Sequence, residues 1–273
     1  MRLPSCHRTI HRTSQYAIVT ILAFTRAVSS RIAQCELTHL AREPIDVERA
    51  RAQHAAYEHL LSDLGCSVQR VAGAEEQADA VFIEDTAVVL PTIAVMTRPG
   101  AQSRRAEVDA VAAALAAYRP LAFITAPGTL DGGDVLRAGR TLFVGRSTRT
   151  NDAGIAQLRA FAAPQGFTVS QIDVGGALHL KSAVTEVNAN TLLVNSAWVD
   201  VRQFREWQII DVDPEEPAAA NVLRIGNALV HGVAYPRTRA RLEAAGCRVH
   251  AVDVSELAKA EGAVTCCSVL VEL

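Results

Sequence analysis

Apolar residues along this chain alternate between two spacings: stretches with a helical repeat, and short β-rich runs bounded by turn residues. The combination recurs five times, and such recurrence decides the fold before any single motif does. The β runs are LGCSVQRV at 64–71, YRPLAFIT at 118–125, QGFTVSQI at 165–172, EWQIIDV at 206–212 and AGCRVHAV at 245–252. Helical spacing precedes them over 47–64, 105–118, 153–163 and 237–245, with a shorter stretch at 200–206. Gly65, Gly166 and Gly246 stand just past three of these helices, where a left-handed stop is expected. After each run a polar segment leads into another apolar strand, as in FIEDTAVVL, TLDGGDVL, LHLKSAV, AAANVLRI and AVTCCSVLVEL, and PTIAVM and TLFVG add a third. The unit therefore reads helix, strand, polar segment, strand, strand.

Five units at a spacing of about 40 to 55 residues predict an α/β chain closed into a ring. An open stack needs polar caps, which the sequence does not offer, whereas closure protects strand edges as it does in propellers. Polar segments at equivalent places in each unit then converge on the central axis, and the chemistry is expected there.

Composition narrows what that axis binds. Of 273 residues 49% are apolar and 21% charged, which excludes disorder, collagen-like chains and disulfide scaffolds. Lys+Arg 27 against Asp+Glu 29 gives no basic footprint for nucleic acid or an anionic membrane, so a small ligand is expected. Cys6, Cys35, Cys66, Cys247, Cys266 and Cys267 form no CxxC pair; they read as reduced thiols, hence a cytoplasmic protein. No apolar run approaches the ~18 residues a membrane span requires. The basic stretch MRLPSCHRTIHRTSQY followed by AIVTILAF reads as a weak signal peptide, as a loosely ordered leader or as an overlong start of the reading frame. The expected organisation is a leader over 1–23 and a single catalytic domain over 24–273.

The converging segments supply Asp79, Glu84 and Asp85, then Asp131 and Asp134, then His179 and Lys181, little ionisable from the fourth, and finally Cys266 and Cys267. An acid, a histidine and a cysteine from three units permit a nucleophilic triad, in which the thiolate needs a charge partner and the imidazole an orienter. Strand alternation sends Cys266 and Cys267 to opposite faces, so only one meets the axis. Asp79, Glu84 and Asp85 lack the nearby second histidine or thiol that a zinc site wants, and a cationic ligand explains them better. Arg104 and Arg149 are placed to fix a carboxylate at the other end of that ligand, with Arg105 on a solvated face.

In this order, FIEDTAVV, TRPGAQSRRAEV, LDGGDVL, FVG-S-RTN, LHLKS and ELAKAEGAVTCCSVL resemble the dimethylarginine dimethylaminohydrolase family, of the guanidine-modifying superfamily. The resemblance runs from about Phe24 to Leu273 and implies a five-bladed α/β propeller of pseudo-fivefold ββαβ-type repeats around a central active site. It implies Cys266 as nucleophile, His179 as general acid/base and Asp131 as the carboxylate that orients His179. Asp85 with Glu84 would hold the guanidinium nitrogens. Asp79 and the backbone carbonyls of Leu37 and Ala260 would receive the α-amino group, and Arg104 and Arg149 the α-carboxylate. The stretch AQCELTHLAREP matches the family's mobile lid, although Ser29-Ser30-Arg31 stands where a proline-containing turn is expected.

The activity so implied is hydrolysis of Nω-methylated arginines to citrulline and dimethylamine or methylamine through a covalent cysteine intermediate. It requires no metal and no organic cofactor, and a monomer or homodimer would serve. Two other readings compete. One is an arginine deiminase or amidinotransferase of the same superfamily, against which stands Lys181, where deiminases carry an aspartate that grips an unsubstituted nitrogen. The other is a catalytically silent propeller that binds arginine-like ligands.

Overall fold

The computed structural model describes residues 20–73 and 75–273. Its first unit is strand β1 (Ile21–Thr25), helix α1 (Val47–Asp63) and strand β2 (Cys66–Arg70). The second is β3 (Ala87–Val89), β4 (Ala94–Met96), α2 (Val108–Leu115) and β5 (Leu121–Phe123). The third is β6 (Val135–Ala138), β7 (Thr141–Arg146), α3 (Asp152–Ala162) and β8 (Thr168–Asp173). A short helix α4 (Leu180–Ala183) leads into β9 (Val184–Asn188), β10 (Thr191–Val194) and β11 (Gln208–Asp211). The last unit is β12 (Val222–Ile225), β13 (Ala228–Gly232), α5 (Pro236–Ala244) and β14 (Arg248–Val252), followed by α6 (Ser255–Ala258) and β15 (Val269–Glu272).

These strands form five three-stranded sheets. In each, an inner strand pairs antiparallel with a middle strand, and the middle strand pairs parallel with an outer one across a connection over the sheet. The first sheet departs from chain order: its inner strand is β15, so Ile21 lies opposite Glu272 and Phe24 opposite Val269. The two ends of the described chain thus complete one blade. The molecule is a five-bladed α/β propeller, and β15, β3, β6, β9 and β12 line a central channel of about 730 Å³.

Local signals set the elements. The Asp46 carboxylate accepts the Arg49 N–H at the start of α1, and Asn151 accepts the Gly154 N–H at the start of α3. Gly65, Gly166 and Gly246 take the left-handed φ expected of them. Each blade keeps its own core between helix and sheet: Tyr57 and Leu61 of α1 pack in one cluster with Ala23, Val111 and Leu115 of α2 in another with Met96, and Ile155 and Leu158 of α3 in a third with Leu142 and Val144.

Three boundaries differ from the sequence expectation. The helix expected over 105–118 is split into a 3-10 segment, Gln102–Glu107, and α2, so that Arg104 is turned inward while the helix begins beyond it. The stretch at 200–206 is only a 3-10 turn, Val201–Phe204, with the Asp200 carboxylate accepting the Arg202 N–H. Strand β1 takes in Ile21, Leu22 and Ala23, expected in the leader; the apolar character of the ILAF end of AIVTILAF belongs to a strand whose Ala23 and Phe24 are fully buried. The remainder of the expected leader, residues 1–19, lies outside the described residues. Among the described residues no helix is long and apolar enough to cross a membrane.

Candidate active site

Every polar segment between an outer strand and the next inner strand ends at the same end of the axis, which explains why residues far apart in sequence meet there. The first runs through a 3-10 turn, Ile83–Thr86, holding Glu84 and Asp85. The second is Asp131 followed by the turn Gly132–Asp134. The glycines are required by close approach: a Cβ on Gly133 would lie 2.6 Å from Nδ1 of His179, and one on Gly132 2.0 Å from the Glu84 carbonyl oxygen. The third places His179 just ahead of α4, and the last carries Cys266 and Cys267 on a turn before β15. The cysteines diverge because of that turn and not through strand pleat: Cys266 lines the pocket, whereas Cys267 is fully buried with its thiol toward the Ala263 carbonyl.

A small pocket is lined by Cys266, His179, Asp79, Asp85, Arg104 and Arg149, with Ala260 beside them. His179 is 5% exposed and held between acids: Nε2 lies 3.1 Å from Oδ2 of Asp131, and Nδ1 3.8 Å from Oδ1 of Asp85. Asp131 is itself fixed, because Oδ1 accepts the Gly100 N–H and its own N–H donates to Oγ1 of Thr150. Burial alone would push the imidazole pKa down. The Asp85 charge, the bond to Asp131 and the nearby Asp134 outweigh it and push the pKa up to about 9.

Asp85 is the second anchor. Oδ1 accepts the Gly133 N–H, and Oδ2 accepts Nη1–H of Arg104 at 2.5 Å. Burial works against the carboxylate, yet the His179 and Arg104 charges pull its pKa down to about 2. Asp134 has the opposite balance: burial dominates and raises it to about 6 despite His179 and Ser147. Its oxygens accept from the Leu180 N–H and the Ser147 hydroxyl, so it ties neighbouring segments together. For Cys266, burial and then the Glu84 and Asp85 charges push the thiol up to about 12. In the pocket as it stands the thiol is neutral and the imidazole cationic.

Two expected ligand residues are engaged with other partners. Glu84 lines the central channel and not the pocket, with Oε1 accepting from Nζ of Lys181 at 2.5 Å and Oε2 from the Thr265 hydroxyl. Arg104 lines the pocket, but its guanidinium is engaged by Asp85, by both oxygens of Glu107 and by the Asp79 and Phe82 carbonyls. Its partner Glu107 was missed in the sequence, although a spacing of three from Arg104 in a helical stretch is the signal that finds it. Arg149 donates to Oγ1 of Thr38, and the Asp79 carboxylate accepts the Glu36 N–H. Leu37 thus sits between two residues that the loop docks onto the pocket.

Asp85, Asp131 and His179 offer ligand atoms within 4.8 Å of one another, the spacing of a cation site. Their lone pairs are already directed at Gly133, Gly100 and each other, and the Arg104 cation sits on Asp85. The set suits an imidazolium clamped between carboxylates. The five described cysteines are free thiols.

Comparison with known proteins places this geometry. The chain is 41% identical over 248 residues to an N(G),N(G)-dimethylarginine dimethylaminohydrolase of Streptomyces coelicolor, covering 90% of this chain and 95% of that one. It is 33% identical over 233 residues to its counterpart in Pseudomonas aeruginosa, covering 85% and 91%. The structure of a cysteine-to-serine variant of the Pseudomonas aeruginosa enzyme complexed with citrulline superposes with a TM-score of 0.88 at 30% identity, covering 92% of this chain and 100% of that one. The N-terminal domain of a cyanobacterial arginine dihydrolase shares the fold, with a TM-score of 0.84 at 17% identity, 92% of this chain and 97% of that one. No family model matches the chain.

Proposed function

This chain belongs to the dimethylarginine dimethylaminohydrolase family, and from that premise we propose how its own residues carry the reaction. The protein hydrolyses Nω-methylated arginines, asymmetric dimethylarginine and monomethylarginine, to citrulline and dimethylamine or methylamine. The observation that carries the assignment is the meeting of the Cys266 thiol, an imidazolium held by Asp131, and the ionised Asp85 in one pocket.

A guanidinium is a poor electrophile and a buried thiol a poor nucleophile, so the two must activate each other. A cation entering beside Cys266 opposes the acids that, with burial, raise its pKa, and the thiol gives its proton to solvent. Asp85 is the acid left to face the guanidinium, since Glu84 is neutralised by Lys181. The thiolate attacks the central guanidinium carbon, and the tetrahedral adduct expels its methylated nitrogen as His179 donates a proton to it. Water then adds to the S-alkylthiouronium carbon while His179 takes one of its protons, and the C–S bond breaks as the adduct's hydroxyl gives its remaining proton to solvent, releasing citrulline and regenerating the thiolate. Asp79 with the Leu37 and Ala260 carbonyls receives the α-amino group, and Arg149 the α-carboxylate. Arg104 is assigned to that carboxylate too, which requires it to give up part of its bonding to Asp85 and Glu107.

The five described cysteines are free thiols, which suits a reducing cytoplasm, where the chain would act as a monomer or homodimer. The test is a citrulline assay with asymmetric dimethylarginine, monomethylarginine and arginine as separate substrates, scoring dimethylamine against ammonia. Turnover of the methylated substrates is expected; ammonia release from arginine as the faster reaction would replace this reading with a deiminase.

A further inference from the structure

We propose that Glu261 is a positioning residue that sets both backbone carbonyls awaiting the substrate's α-amino group and latches the loop above them, an inference that rests on the pocket assignment just given. Its side chain makes an unusual contact: the carboxylate accepts the consecutive backbone N–H groups of Thr38, His39 and Leu40, at 3.0, 2.5 and 2.7 Å. Three amides converging on one anion hold a loop that has no helix or strand of its own at that point.

A trans peptide is planar, so its C=O and N–H point in opposite directions and fixing one fixes the other. The Leu37 carbonyl shares its peptide with the Thr38 N–H that Glu261 binds. The Ala260 carbonyl shares its peptide with the N–H of Glu261, which donates to the Ala258 carbonyl. One residue therefore orients both carbonyls, the first through its side chain and the second through its backbone.

The backbone of Glu261 points the same way. With φ of 59° it is the one described non-glycine residue in the left-handed region. It follows α6 where glycine is the usual occupant, and Gly262 N–H closes back on the Leu257 carbonyl. The glycine cannot simply be exchanged with its neighbour: a Cβ on residue 262 would lie 2.1 Å from the Phe82 ring. A glutamate thus occupies a conformation it disfavours, in the one place from which its carboxylate reaches the loop. Another loop contact joins the Ser103 hydroxyl to the Glu36 carboxylate, and two others, Glu36 on Asp79 and Thr38 on Arg149, use the groups the substrate is to occupy. Glu261 holds the loop without competing for them.

The experiment compares the full chain with E261G and E261Q. Glycine relieves the backbone and removes the carboxylate; glutamine keeps one acceptor oxygen. For E261G the expected result is a KM for asymmetric dimethylarginine raised about tenfold with kcat within about twofold. The amides of Thr38, His39 and Leu40 should exchange with deuterium at least about tenfold faster, with E261Q intermediate in both readouts. Unchanged KM and unchanged exchange in E261G would overturn the proposal. Should the unmodified chain not turn over methylarginines, the functional reading fails instead, and the exchange rates alone still decide for or against the latch.

Discussion

The two ends of the propeller axis carry the same kinds of side chain under opposite conditions. At the pocket end His179, Asp85, Asp131 and Arg104 are each at most 5% exposed, and every charge there is displaced in pKa or locked to a partner. At the other end the inner strands contribute Arg137, Glu186, Arg224 and Glu272, paired as Arg137–Glu272 at 3.3 Å and Arg224–Glu186 at 3.1 Å. The first of these pairs is 41% and 59% exposed and open to screening. Between the two ends lies the buried Lys181–Glu84 pair, which faces the channel while the Glu84 backbone N–H binds the Cys266 carbonyl. The Arg224–Glu186 pair is half-buried and burial raises the Glu186 pKa, so desolvation is graded along the axis, weakest at Arg137–Glu272 and deepest around His179 and Asp85.

The sharpest way to break the contrast is at the sulfur. Cys266→Ser should reduce citrulline formation by more than about a thousandfold. Cys267→Ser, changing a thiol turned away from the pocket, should retain activity within about tenfold and show its effect in thermal stability. The reverse ranking would remove Cys266 from the mechanism.

Desolvation makes the next effects one of size. Lys181→Met leaves Glu84 buried without its cation and should cost about 3 kcal/mol in urea unfolding, whereas Arg137→Ala at the exposed mouth should cost less than about 1 kcal/mol. Equal losses would mean the channel floor is as wet as its mouth.

The pH dependence of stability is the subtlest comparison. His179 has its folded pKa raised from 6.5 to about 9 by its acidic neighbours. Its contribution is therefore present in full below about 6.5 and is lost as pH rises through about 9, up to about 3 kcal/mol. Unfolding free energies measured across that window should fall for the unmodified chain and lose that slope in His179→Gln. An identical slope in both would place the titration elsewhere.

Much of this architecture was legible in the chain because it depends on periodicity. Five β runs, the glycine stops behind three helices and the polar segments between strands each leave a local signature, and together they imply closure. The identity of the inner strand in the first blade follows only from closure, since β15 and β1 are separated by the whole chain. Side-chain direction within the polar segments was less legible. Glu84 and Asp85 are neighbours in a tight 3-10 turn, and consecutive positions there point to different sides, so one reaches the channel and the other the pocket. The loop around Leu37 has no repeat at all, and its docking through Asp79, Arg149 and Glu261 is visible only in three dimensions.

That β15 completes the blade begun by β1 ties the pocket to the closing of the ring. Cys266 precedes β15 by only a short turn and is held at the pocket by the pairing of that strand with β1. With the other four blades built the first sheet still lacks its inner strand, and with it the turn that carries Cys266. Closure of the ring and placement of the sulfur in the pocket thus rest on the same strand pairing, β15 on β1.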